Sequence, residues 1–151
     1  MTISAYEIAL ISTGSTIVGA LLGTWLGYRL SLQLAAINAK RQASQRLIST
    51  FHRELGDLYP ALVNWPENID GFLRSKFTAL NCATGEFRHY LPHNEWDSFD
   101  KAWFGYYCST GREIDKQCQD YTHYMPFGSN PKYKENFKDN IDNLLKFAKL
   151  T

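Results

Sequence analysis

The chain has 151 residues, 44% of them hydrophobic and 15% aromatic, and a net charge of +1. That length suits one compact domain plus an appendage, and with charge so close to balance global electrostatics name no partner. Three cysteines without paired spacing, Cys82, Cys108 and Cys118, argue against a secreted disulfide framework and for reduced thiols in a cytosolic compartment.

The first element is an apolar run. Residues 8–28 carry no charged side chain. As a helix rising 1.5 Å per residue the run reaches roughly 31 Å, which matches a hydrocarbon core of about 30 Å. Trp25 and Tyr28 stand near its C-terminal end, where amphipathic rings favour the membrane interface. A cleaved signal peptide would want a basic start and a shorter apolar core. The expectation is an uncleaved signal anchor over residues 1–37, with the span at about 8–28.

The flanks suggest an orientation. Between the run and residue 53 there are five basic residues (Arg29, Lys40, Arg41, Arg46 and Arg53) and no acidic one, whereas no Lys or Arg precedes the run. Basic residues stay on the cytoplasmic side, so the N-terminus is expected outside and the rest of the chain inside. Arg29, Lys40, Arg41 and Arg46 are candidates to meet anionic lipid head groups.

Along the same run Ser15, Gly19, Gly23, Gly27, Ser31, Ala35 and Ala39 are all small and four apart. Residues at that spacing share one stripe of a helix. In lipid, where no hydrophobic drive holds helices together, small residues permit the close backbone approach that does. Ser15, Gly19, Gly23, Gly27 and Ser31 are therefore the candidate transmembrane contact of a homo-oligomer.

No proline occurs before Pro60, and after Gly27 the next glycine is Gly56. One helix is predicted from about residue 4 to residue 55. Its second stripe (Leu30, Leu34, Ile37, Arg41, Ser44, Ile48, Phe51, Leu55 and Leu58) steps by four and three, as a coiled-coil seam or a core-facing helix does. Residues 38–46 are read as a basic juxtamembrane stalk and residues 47–151 as a cytosolic helical domain.

Beyond the turn at residues 60–66, the apolar spacing of Ile69, Phe72, Leu73, Phe77, Leu80, Ala83, Phe87 and Leu91 predicts a helix over 67–91, ended by Pro92. Asn94 is a candidate cap for a third helix with Trp96, Phe99, Trp103 and Tyr106 or Tyr107 along it. A long connection follows. A last helix is predicted with Asn130 as cap and Pro131 as its first residue, presenting Phe137, Ile141, Leu144, Leu145 and Ala148. With no persistent alternation, the fold class is all-α: one transmembrane helix continuing into a small antiparallel helical bundle.

Aromatic rings are denser here than one buried stripe per helix requires. Either the connection folds over the surplus or some rings form a partner surface, for which Trp103, Tyr107, Tyr121, Tyr124 and Phe127 are the candidates. His89 and His93 are four apart, but Pro92 between them breaks the helix that would align them on a metal. No phosphate loop, dinucleotide fingerprint or nucleophile motif is present. No enzymatic activity, cofactor or nucleic-acid partner is expected.

The stretch EFRHYLPHNEWDSFDKAWFGYY and the tail NFKDNIDNLLKFAK resemble a broad, uncharacterised group of small bacterial proteins. These have one N-terminal membrane helix and a cytosolic helical domain. The resemblance implies an inner-membrane location and supplies no activity and no catalytic residues. The reading that follows is a membrane-tethered module for protein interaction, its partners being lipid, further copies of itself and another cytosolic protein. The alternative is a membrane-perturbing effector that assembles a pore.

Overall fold

The structure, a computed structural model, describes residues 5–108, 119–126 and 131–149, with the side chains of residues 5–22 and 57 outside that description. The described residues are helical, apart from short turns and a single bridge between Cys108 and Asp120. They form α1 (Ala5–Leu55), α2 (Ile69–Arg88), α3 (His93–Tyr107) and α4 (Tyr133–Leu145), with 3-10 turns at Gly56–Leu58, Thr122–Tyr124 and Lys146–Ala148. The chain divides into two compact units, Met1–Ala39 and Lys40–Thr151.

The long first helix is as expected, and its end has a local cause. Gly56 has φ +50°, the left-handed region that glycine enters without steric cost, and α1 stops there. Among the described residues no helix is long and apolar enough to cross a membrane. The expected span at 8–28 lies mostly on side chains outside the description.

In the unit Lys40–Thr151, α1 contributes Ala43, Ser44, Leu47, Phe51 and Leu55 to the core. Burial thus begins at Ala43, inside the residues 38–46 read as a basic juxtamembrane stalk. Helix geometry is the reason: Ala43 and Leu47 are four apart, as are Leu47 and Phe51, so the stripe that enters the core runs back one more turn. A fragment beginning at Lys40 should unfold cooperatively, and one beginning at Leu47 should melt at a lower temperature. Thermal denaturation followed by circular dichroism compares them.

The second helix keeps its predicted stripe and gains a defined start. The Asn68 side chain accepts a hydrogen bond from the Gly71 backbone N–H at 2.8 Å. A Cβ at residue 71 would stand 2.7 Å from Asn68 Nδ2, so glycine there lets the cap fold over the helix end. Two other starts differ from expectation. The residue before the third helix is Pro92, whose carbonyl accepts from the Glu95 N–H at 2.9 Å; its extended ψ of 145° turns the chain, and Asn94 lies already inside the helix. The last helix starts at Tyr133 because Lys132, at φ −101° and ψ 17°, still belongs to a turn with Pro131; Asn130 lies outside the described residues.

Helix α3 packs on both α2 and α4. At the α2–α3 hairpin Arg88 grips Asp100 with two hydrogen bonds, 2.7 and 2.8 Å, and its guanidinium lies 4.1 Å over the Trp96 ring. The final helix is tied to the loop after α1, where the Tyr59 hydroxyl donates to Asp142 Oδ1 at 2.7 Å. Lys138 pairs with the same carboxylate. Tyr59→Phe should cost about 0.5–1.5 kcal/mol, a loss that urea denaturation resolves.

Candidate interaction surfaces

In the unit Met1–Ala39, the described side chains of α1 are exposed from Gly23 to Asn38. They include Trp25 at 54% exposure, Leu30 at 57% and Ile37 at 61%, with Leu26, Tyr28, Leu32 and Leu34 at half or more. At 100° per residue, Leu30 and Leu34 share one side of the helix while Leu32 points away from them, so the apolar surface surrounds it. The Arg29 guanidinium lies 5.0 Å from the Trp25 ring, one turn back. Ser31 Oγ donates to its own helix at the Tyr28 carbonyl, 2.8 Å away, which satisfies the hydroxyl without water.

Gly23 and Gly27 lie in this exposed segment, and a Cβ built on either meets nothing within 4 Å. Packing inside the chain therefore gives no reason for glycine at these two positions. Ser15 and Gly19, the other members of the stripe, lie outside the described side chains.

The four basic candidates for lipid contact differ in setting. Arg29 and Arg41 are exposed and Lys40 is half-buried. Arg46 instead pairs with Glu86 on α2, at 2.7 Å, so its charge is shared with the domain surface. Forty residues separate that pair, which is why the sequence shows only the basic member.

The candidates for an aromatic partner surface are mostly enclosed. Tyr121 and Tyr124 are fully buried, Trp103 is 9% exposed and Tyr107 is half-buried; Phe127 lies outside the described residues. Trp103, Tyr121 and Tyr124 belong to the core, with Tyr107 packed against it, because residues 119–126 fold back over the surplus face of α3. The backbone N–H of Asp120 donates to the Tyr107 carbonyl at 2.8 Å, and the Tyr124 hydroxyl donates to the Tyr106 carbonyl at 2.9 Å. Asn140 of α4 donates to both the Tyr124 hydroxyl and the Gly105 carbonyl, at 2.9 and 3.2 Å. Burial raises the phenols of Tyr106, Tyr121 and Tyr124 above their ordinary range.

Within this cluster the Tyr106 hydroxyl is buried with no hydrogen-bond partner among the described residues. An unpaired buried hydroxyl is a cost, and removing it leaves the ring contacts in place. Tyr106→Phe should leave stability unchanged or raise it by about 1 kcal/mol, measured as a urea midpoint.

Among the described residues no group of His, Cys, Asp and Glu gathers in a way that could hold a metal ion. Cys82 is exposed on α2, Cys108 is buried at the end of α3, and Cys118 lies outside the described residues. A shallow groove that the sequence did not signal lies in the unit Lys40–Thr151, between the end of α1 and the first turns of α2, with a volume of about 240 Å³. Its rim carries Arg53, Glu54 and Lys76, and only tertiary packing brings Lys76 to Glu54, 3.6 Å away.

No family model, no curated protein and no solved structure matches the chain.

Proposed function

We propose that the chain is a single-pass protein of the bacterial inner membrane that tethers a helical interaction domain to the cytoplasmic face. In this reading α1 crosses the bilayer over residues 8–28 and contacts a second copy through Ser15, Gly19, Gly23, Gly27 and Ser31. The observation that carries the reading is the end of the uncharged run of residues 8–28, where Trp25, Leu26 and Tyr28 stand exposed in their own unit. Leaving so many large apolar side chains in water is costly, and such surfaces mark membrane or partner contact. The uncharged sequence from residue 8 onward extends the same character upstream.

Orientation rests on the basic flank. Arg29, Lys40 and Arg41 would lie at or just beyond the head groups, with Trp25 and Tyr28 at the interface. The homo-oligomer rests on glycine at positions 23 and 27 where the chain itself makes no use of it. Another protein bound by the domain would complete a tether.

The test is crosslinking of the full chain in membranes. Gly23→Ile and Gly27→Ile should each weaken self-association by roughly tenfold, because bulk on the stripe forces the backbones apart. Leu22→Ile, off the stripe, should change it little. Equal association in all three variants would remove the glycine stripe as the contact.

A further inference from the structure

We infer that the groove between α1 and α2 docks a segment of a partner protein in which a carboxylate stands next to an apolar side chain. This rests on the interaction-module reading and names the chemistry of its partner. Three observations converge on the place.

The first is shape and lining. The floor is apolar, made by Leu55, Leu58, Pro66 and Phe72, and a volume of about 240 Å³ has room for one or two side chains and none for a helix. The second is charge. Two cations, Arg53 and Lys76, share one carboxylate, Glu54, at 3.0 and 3.6 Å. Arg53 bonds Glu54 through Nε and is 69% exposed, so the outer edge of its guanidinium is open to a second anion. Lys76 also has ammonium protons to spare beyond that one ion pair. Among the described side chains that line the groove, the rim is thus one positive charge in excess.

The third is the wall. In the loop between α1 and α2, Leu62 and Asn64 have φ +56° and +52°, a backbone region that residues with a Cβ rarely adopt. Such conformations persist where the surroundings enforce them, and they cluster at binding sites. Val63, between them, is 48% exposed; with Tyr90 it makes up the exposed large apolar side chains of this unit among the described residues. Asn64 itself lines the groove. The apolar floor beneath the cationic rim complements an apolar residue adjoining an acid.

The probe is a capped Gly-Leu-Asp-Gly peptide, titrated into the full chain in nonionic detergent and followed by amide chemical shifts of Gly56, Asn64 and Lys76. Saturable shifts are expected. The isosteric Gly-Leu-Asn-Gly peptide and the Gly-Gly-Asp-Gly peptide should each bind about tenfold more weakly, the first for want of the charge and the second for want of the apolar contact. Lys76→Gln should weaken the acidic peptide several-fold, and Glu54→Gln should tighten it by releasing both cations. Both positions lie on the rim rather than in the apolar core, and a circular-dichroism melt of each variant checks that the fold is retained. Equal binding of the Asp and Asn peptides, or no saturable shift, would overturn the assignment. Tighter binding of hexanoate than of the peptide would also overturn it, placing a small fatty carboxylate in the groove. Self-association, read by crosslinking, is unaffected by any of these results, so failure here and failure of the tether are separable.

Discussion

Trp103→Ala is expected to destabilise the unit Lys40–Thr151 by about 3–5 kcal/mol. The ring is 9% exposed and stands at the junction of three helices. It stacks on Phe77 of α2 at 5.7 Å and on Tyr106 at 5.3 Å, and it meets Phe51 of α1 edge-on at 6.4 Å. Truncation removes the apolar area and the ring contacts at once, and aromatic neighbours of this size cannot collapse into the space. Urea denaturation of residues 40–151 measures the loss. A change below about 1 kcal/mol would return Trp103 to the surface, where substitutions generally cost little. Tyr90→Ala, at an exposed ring on the α2–α3 connection, is the control and should stay within about 0.5 kcal/mol of wild type.

Acidification supplies the second large effect. Burial pushes the His123 imidazole down from 6.5 to about 4, against the opposing pull of Asp120 and of the backbone at Gly105 and Tyr106. Above pH 6.5 the side chain is neutral in both folded and unfolded chains and contributes no pH dependence. As the pH falls below 6.5 the unfolded chain takes up a proton that the folded chain refuses, so stability falls. Each pH unit in that window costs about 1.4 kcal/mol, giving a loss of about 2 kcal/mol between pH 6.5 and 5. Below pH 5 carboxylates add to the fall: Glu54, lowered chiefly by its hydrogen bond from Arg53, loses its contribution as it is protonated. His123→Gln should flatten the dependence between pH 6.5 and 5 and leave the lower region in place. Urea midpoints at pH 7 and pH 5 for both chains give the comparison. An unchanged slope in the variant would mean that another group carries the acid sensitivity.

The helices were legible because their causes are local. The absence of proline before Pro60 and the glycine at Gly56 bracket α1, and the spacing of Leu73, Leu80 and Phe87 picks out residues that the structure buries completely. Ile141 and Leu144 do the same in the last helix. The helix starts were less legible. Asn94 and Pro131 both satisfy general capping preferences, yet Pro92 and Lys132 decide the backbone at those two points. The aromatic surplus on α3 was visible in the sequence as a surplus. Its resolution depends on residues 119–126 returning to pair with the end of α3, a long-range event that no periodicity records. The groove was illegible for the same reason, since Glu54 and Lys76 are unrelated until α2 packs beside the end of α1. The glycine stripe is the reverse case: plain in the sequence, and without any use inside the chain at Gly23 and Gly27.

In the proposed function α1 anchors the chain in a lipid bilayer. The most direct test of that anchor is alkaline carbonate extraction of bacterial membranes expressing the full chain or residues 40–151 alone. A transmembrane helix is held by the hydrophobic cost of withdrawing it and resists extraction, whereas a protein held by surface charge is released. The full chain is expected in the membrane pellet after extraction and the fragment in the supernatant. Full-length chain recovered in the supernatant would contradict the anchor, and would assign the exposed apolar segment around Trp25 and Ile37 to a protein partner instead.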